Sequence, residues 1–281
     1  MSKDELKKDT SEFTVAALQM VSGDVIEKNL ECVEALLKQA VEKGAQMVVL
    51  PENFALMPRH SEQLLSMAET LGEGMVQDFL SVLAKKHGCW IVAGSLPISA
   101  PNSKKVYAAC LVYNDSGQQL AHYYKVHLFD VEVADKQEHY RESDTFLAGE
   151  QAVVVDTPFG LLGLSICYDL RFPELYRELL QLGAEYIVAP SAFTETTGQA
   201  HWSLLCRARA VENSCYLIAA NQGGEHINGR STYGHSMIVD PWGKVLSELT
   251  TGTGIVLDTL TKKKLNKVRH SFPAIKHRRL A

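Results

Sequence analysis

The sequence predicts an α/β fold in which two mixed β-sheets pack face to face with helices on their outer sides. Three observations carry that expectation. Strand-like apolar runs alternate with helix-period segments early in the chain, as strand-helix units do. Hairpin signals then interrupt the alternation, which puts antiparallel pairs beside parallel ones. No Pro/Gly/Ser-rich linker, repeat or low-complexity stretch divides the chain, so residues 13–281 are expected to form one domain behind a polar tail of residues 1–12. At 281 residues with 46% apolar positions, the chain can bury a core of that size.

Taken in order, "FTVAALQ" reads as the first strand. A helix over 25–43 follows, with Val25, Leu30, Val33, Leu37, Ala40 and Val41 on one face and Gly44 closing it. "QMVVL" is a strand that runs directly into "PEN", and a helix over 74–87 precedes the strand "CWIVAGSL". "YAACLVYNDSGQQLAHYYKVHLF" reads as two strands joined at Asn114 to Gly117. "AVVVDTPFGLLGLSIC" reads as two more, joined by the turn Thr157 to Gly160. Pro173 suits the first turn of a helix that Gly183 ends. The strand "EYIVAP", a helix over 198–213, the strand "CYLIAAN", the hairpin "HSMIVDPWGKVLSEL" and a last strand "TGIVLDTL" complete the pattern.

Charge and composition narrow the function. The net charge of -5, with both signs interspersed, offers no basic surface for phosphate backbones, so nucleic acid is not an expected partner. No apolar run reaches the ~20 residues that cross a bilayer, and "MSKDELKKDTSEF" is charged where a signal peptide has its apolar core. A cytoplasmic location is therefore expected. The six cysteines lie inside predicted strands or helices with no CxxC pair, which suits free thiols rather than disulfides or zinc.

Three residues at or near strand ends could carry chemistry. Glu52 follows an apolar strand and is pinned by Pro51, at the carboxyl edge where open α/β sheets place ligand sites. Lys125 ends "LAHYYK" and Cys167 ends "LLGLSI". Each has an ordinary reading: a solvated loop carboxylate, a solvated strand-end cation and a small core hydrophobe. Together they would form an acyl-transfer apparatus, because a thiol needs a base, a nearby cation and a donor for the oxyanion that develops on the attacked carbonyl. Spacing does not show that they converge. A papain-like pairing of Cys167 with His127, His201 or His235 competes, although no familiar cysteine-protease signature surrounds Cys167.

The stretches "VVLPENF", "YYKVHLFD" and "GLSICYDLRFPELYR" resemble the three signatures of the nitrilase superfamily of carbon-nitrogen hydrolases, in order and over nearly the whole chain. The resemblance implies an α-β-β-α four-layer sandwich and a catalytic Glu52-Lys125-Cys167 triad. It also implies a second glutamate, Glu142 in "YRESDTFLAGE", although Ala148 stands where many relatives have proline. In the implied chemistry Glu52 is the base, Cys167 attacks a small amide, and Lys125 with the backbone N-H of Tyr168 meets the oxyanion. Neither a metal nor an organic cofactor is implied, and a homodimer is. "PSAFTETTGQAHWSLL", "STYGHSMIVDPWGKVL" and "VRHSFPAIKHRR" are similar to the branch that hydrolyses deaminated glutathione. On that likeness Phe193, Thr194, His201 and Trp202 are expected to touch substrate, with core packing as the other reading of Trp202. An omega-amidase and a catalytically silent scaffold remain as alternatives. Arg171, Arg207 and Arg209 could meet substrate carboxylates or pair with internal acids.

Overall fold

The computed structural model describes residues 11–133 and 139–280. Most of the predicted tail, residues 1–10, and Ala281 lie outside the described residues. Glu12 is already a strand residue, paired with Thr261.

The elements run β1 (Glu12–Gln19), α1 (Ile26–Glu42), β2 (Met47–Val49), α2 (Ser61–Ser66), α3 (Met75–His87), β3 (Trp90–Ser99), β4 (Val106–Tyr113) and β5 (Gln119–Tyr124). They continue with β6 (Asp130–Glu132), β7 (His139–Arg141), β8 (Phe146–Leu147), β9 (Val154–Thr157), β10 (Gly160–Leu164), α4 (Pro173–Gln181), β11 (Tyr186–Val188) and α5 (Glu195–Asn213). The last are β12 (Tyr216–Ala219), β13 (Gly223–Glu225), β14 (Ser231–Tyr233), β15 (Ser236–Val239), β16 (Val245–Leu249), β17 (Gly254–Thr261) and α6 (Lys262–Ser271).

One sheet has the order β17-β1-β2-β3-β4-β5, with β8 also on β4, and the other has the order β16-β15-β12-β11-β10-β9. Both mix parallel and antiparallel neighbours, as the sequence predicts. The period of two explains why continuous apolar runs make strands buried on both faces. Val15, Ala17, Met47, Val49, Val92 and Val112 point into the core shared with the second sheet. Their neighbours Ala16, Leu18, Val48, Leu50, Ile91 and Leu111 point the other way, under Leu30, Val33 and Leu37 of α1 and Leu80 and Leu83 of α3. Each such leucine or valine contributes about 1.5–3 kcal/mol by leaving water. On the far side of the second sheet, Tyr176 and Leu179 of α4 and Trp202, Cys206 and Ala210 of α5 join the core. The layers are α-β-β-α, the expected sandwich.

Several details depart from the expectation. Val25 is the residue before α1, 40% exposed, rather than part of its apolar face. Helix α5 begins at Glu195, earlier than expected, because the Thr194 hydroxyl accepts from the Thr197 N–H and caps it. The elements α2, α6 and the hairpins β6-β7 and β13-β14 were not expected. Helix α6 buries only Leu265 and Val268, too thin a stripe for a period to show. It is docked by Arg269, which donates to the carbonyls of Ser214 and Ala184.

Candidate active site

Strand directions bring the strand-end residues together. Strand β2 is parallel to β3, β3 is antiparallel to β4, and β4 is antiparallel to β5. The carboxyl ends of β2 and β5 therefore share one edge, which places Glu52 and Lys125 side by side. The Glu52 turn is held close against β3. At Gly94 (φ +35) an added Cβ would lie 1.9 Å from the Pro51 carbonyl oxygen, so only glycine lets the two backbones approach. Gln222 donates to the Glu52 carbonyl at 2.9 Å. Lys125 keeps its strand bonds, donating to the Ala108 carbonyl at 2.9 Å and accepting from the Gly149 N–H at 2.8 Å.

Cys167 opens a short helical turn three residues past the end of β10, in the second sheet, with a left-handed backbone (φ 47) that a side chain seldom adopts. Two anchors hold it there. Its N–H donates to the Pro190 carbonyl at 2.8 Å. Asp169, fully buried, accepts from the Ile166 N–H at 2.8 Å, the Tyr123 hydroxyl at 2.7 Å and the His127 N–H at 3.1 Å, and its Oδ1 lies 2.7 Å from His127 Nδ1. One carboxylate thus ties the cysteine turn to β5 and to the segment after Lys125.

The side chains converge. Lys125 Nζ donates to Glu52 Oε1 at 2.8 Å and to both Glu142 oxygens at 2.8 and 2.9 Å. The Lys125 side chain is 2% exposed, Glu52 7% and Glu142 16%, so this cluster is nearly cut off from water. Burial alone would drive the ammonium to lose its proton, but Glu142 and Glu52 hold it charged, well above the ordinary lysine range. Burial also favours the neutral form of Glu52, yet the Lys125 charge outweighs it and keeps the Glu52 pKa below 4.5. Glu142 goes the other way: burial, together with the Glu52 charge, outweighs its share of Lys125. Burial, then the neighbouring Glu52 charge, raises the Cys167 pKa, so the resting group is a thiol that shares the cavity wall with the Glu52 carboxylate. That arrangement can pass a proton from sulfur to carboxylate as the sulfur attacks.

The cluster lies in a cavity of about 710 Å³ whose walls come from the loops after β2, around β6 to β8, at the start of α5 and between β13 and β14. The fold, the three strand ends and the buried Lys125 form one arrangement, and the chain matches the "Carbon-nitrogen hydrolase" family over residues 14–270. The chain belongs to the carbon-nitrogen hydrolase family. It is 42% identical to a deaminated glutathione amidase of Synechocystis sp. over 95% of this chain and 98% of that protein. It is 40% identical to that of Yersinia enterocolitica, over 94% and 92%. The NitFhit protein of C. elegans superposes with a TM-score of 0.90 at 38% identity, covering 96% of this chain and 66% of that one. An amidase from Nesterenkonia sp. AN1, solved with acrylamide added at the active site cysteine, is 27% identical with a TM-score of 0.77, over 94% and 99%.

In this carbon-nitrogen hydrolase the cavity wall includes Glu52, Lys125, Glu142, Cys167, Tyr168 and, at the start of α5, Phe193 and Thr194. His201 and Trp202, expected against substrate, do not line it. Trp202 is fully buried, and its indole N–H donates to the His235 carbonyl at 2.7 Å. Gly198, Trp202, Cys206 and Ala210 recur every four residues on the buried face of α5, a spacing that favours the core-packing reading. His201 is exposed, with Nδ1 3.2 Å from Arg171 Nη1. The histidine-base reading is not supported either. His127 is held by Asp169 and stacks on Phe172 at 3.7 Å, and His235 meets Glu248 at 2.6 Å, while the thiol faces Glu52. Arg209 pairs with Glu212 at 2.7 Å, Arg207 donates to the Gly243 carbonyl, and Arg171 alone of the three lines the cavity. Sequence reasoning passed over Arg59, Tyr140 and Arg230, cavity residues in polar segments without a period or motif.

Proposed function

We propose that this carbon-nitrogen hydrolase cleaves deaminated glutathione to 2-oxoglutarate and cysteinylglycine through a thioester on Cys167. The observation that carries the reading is the charge of the cavity. Among the described residues five cations, Arg59, Lys125, Arg141, Arg171 and Arg230, share its wall with three carboxylates, Glu52, Glu142 and Glu195, in a chain of net charge -5. A surplus of arginine suits a small amide that bears carboxylates at both ends, and the most similar relatives carry that activity in their names.

Glu52 takes the thiol proton while sulfur attacks the amide carbon, and Lys125 with the Tyr168 N–H receives the oxyanion. Collapse of the tetrahedral adduct breaks the C–N bond as Glu52 returns the proton to the departing nitrogen. Glu52 then draws a proton from water, hydroxide adds to the thioester, and the acid leaves as the thiol is restored. Glu142 holds Lys125 in line with the reacting carbonyl. The test is a comparison of deaminated glutathione with α-ketoglutaramate, read as amine and ammonia release. A kcat/KM at least tenfold higher for deaminated glutathione is expected; the reverse preference would turn the reading to an omega-amidase, and no turnover of either to a silent scaffold.

Residues 13–281 act as one domain in this reading, which the continuous core from Phe13 to Leu265 supports. The reading also includes a homodimer in the cytoplasm. Leu204 and Val211 on α5, with the edge-on pair Trp242 and Phe272, leave an apolar surface exposed that a second copy would cover. Light scattering should return twice the chain mass and cell fractionation should recover the protein with the cytosol. A monomeric mass would remove the dimer, and recovery elsewhere would remove the location.

A further inference from the structure

Arg230 stands in the turn between β13 and β14, on the cavity wall, with most of its donors unused. Its Nη2 donates to the Ala192 carbonyl, and its guanidinium lies over the Tyr140 ring, 5.5 Å from the centroid. Nε is covered and, among the described residues, has no acceptor. Among the described residues no carboxylate pairs with Arg230. The neighbouring cations are differently placed. Lys125 is held by Glu52 and Glu142, Arg59 by Asp24, and Arg171 by His201 and the rings of Tyr168 and Phe193. A guanidinium with one satisfied nitrogen beside a cavity has donors left for a ligand, and two parallel N–H groups match a carboxylate.

The position of Arg230 says which end of a substrate it would meet. Ala192 joins it to the nucleophile's turn, since the Cys167 N–H donates to the Pro190 carbonyl two residues before Ala192, the Ala192 carbonyl accepts from Arg230, and Cys167, Ala192 and Arg230 line one cavity. The Arg230 charge is also felt at Glu52, where it favours the carboxylate. The group attached to sulfur is the acyl half, which stays after the amine has gone. The acyl carboxylate also lies fewer bonds from the attacked carbon than the carboxylate of the leaving group does, so a cation this near the thiol matches the acyl half.

We infer that Arg230 binds the free carboxylate of the acyl half and so selects ω-amides of dicarboxylic acids over neutral amides. The inference rests on the proposed amidase reading and is shared by deaminated glutathione and α-ketoglutaramate, which carry the same acyl half. It makes Arg230 a specificity residue and leaves the leaving-group end to other parts of the cavity.

The experiment compares α-ketoglutaramate with butyramide, a neutral amide of similar length. In Arg230→Gln the ratio of kcat/KM values should fall by about tenfold or more, mainly through KM for α-ketoglutaramate. Arg230→Lys keeps the charge but not the fork and should fall between. Calorimetry with 2-oxoglutarate as probe should show its Kd rising by a similar factor in Arg230→Gln, whatever the enzyme's preferred amide. An unchanged ratio in both variants, or 2-oxoglutarate bound as tightly without the arginine, would show that Arg230 only props the Ala192 carbonyl and would overturn the inference. Should the glutamine variant not fold, the same two readouts on the lysine variant decide it. Failure of the wild type to prefer deaminated glutathione would count against the proposed substrate and leave the Arg230 result standing.

Discussion

Cys167→Ala is expected to lower kcat/KM on any amide substrate by ~10³-fold or more, while the protein stays folded. The proposed thioester cannot form without the sulfur, and no other thiol can replace it. Cys89, Cys110, Cys206 and Cys215 are buried in the core, where burial raises their pKa values, and none lines the cavity. The stability cost should stay within about 1–2 kcal/mol, because alanine vacates one sulfur volume next to an existing cavity and meets the same left-handed backbone at φ 47. The anchors of the turn, the Pro190 carbonyl and Asp169, do not involve the side chain. Steady-state turnover and chemical denaturation measure the two quantities. Peptide mapping after treatment with an amide-like electrophile such as acrylamide adds a third, with an adduct on Cys167 expected in the wild type. Near-normal turnover by the variant would refute the thioester route.

Lys125→Met should abolish turnover and destabilise the fold by about 3–5 kcal/mol at neutral pH, because it leaves Glu52 and Glu142 buried together without their cation. The pH dependence distinguishes this from a simple packing loss. In the wild type Glu52 is held below 4.5, so its ionisation favours the fold above that value, and the benefit fades as pH falls through the depressed folded pKa. Without Lys125, burial is the largest remaining influence on both carboxyls, and both pKa values lie above the unfolded ones. Their ionisation then opposes folding more as pH rises. The gap between wild type and variant should therefore narrow on going from pH 8 to pH 5 in urea unfolding. A gap that is constant with pH, or wider in acid, would mean that the cluster contributes little electrostatically. The same change removes the charge that keeps Glu52 ionised and shifts it toward its neutral form, which weakens the proposed base and removes the oxyanion partner.

Much of the architecture was legible because burial on both faces leaves a plain mark. The runs "QMVVL" and "CWIVAGSL" are almost wholly apolar where two layers cover a strand, and the helix period over Leu30, Val33 and Leu37 reports one covered face. Helix α6 and the hairpin β13-β14 left no such mark. The first buries two apolar side chains and the second is built from glycine and polar residues, so both depend on what they dock against. The site divides along the same line. Glu52, Lys125 and Cys167 were legible as strand-end residues inside recognisable motifs. Trp202 and His201 were assigned by the loop they follow, yet on a helix neighbours in sequence point about 100° apart, so Trp202 turns into the core and His201 to the surface.

By itself the sequence determined the layered α/β fold, the family and the candidate site residues Glu52, Lys125 and Cys167, because alternation, helix period and motif are local properties of the chain. Only the tertiary structure decided the rest. Strand directions put the ends of β2 and β5 on one edge, Asp169 bound the cysteine turn to the segment after Lys125, and the balance of burial against the Lys125 charge set Glu52 and Glu142 on opposite sides of the ordinary carboxyl pKa. It also brought Arg230, from a stretch with no motif, into the cavity wall that holds Cys167. The physical reason is common to all four. Distance and desolvation between residues far apart in the chain are set by how the sheets close on each other, and no local pattern records them.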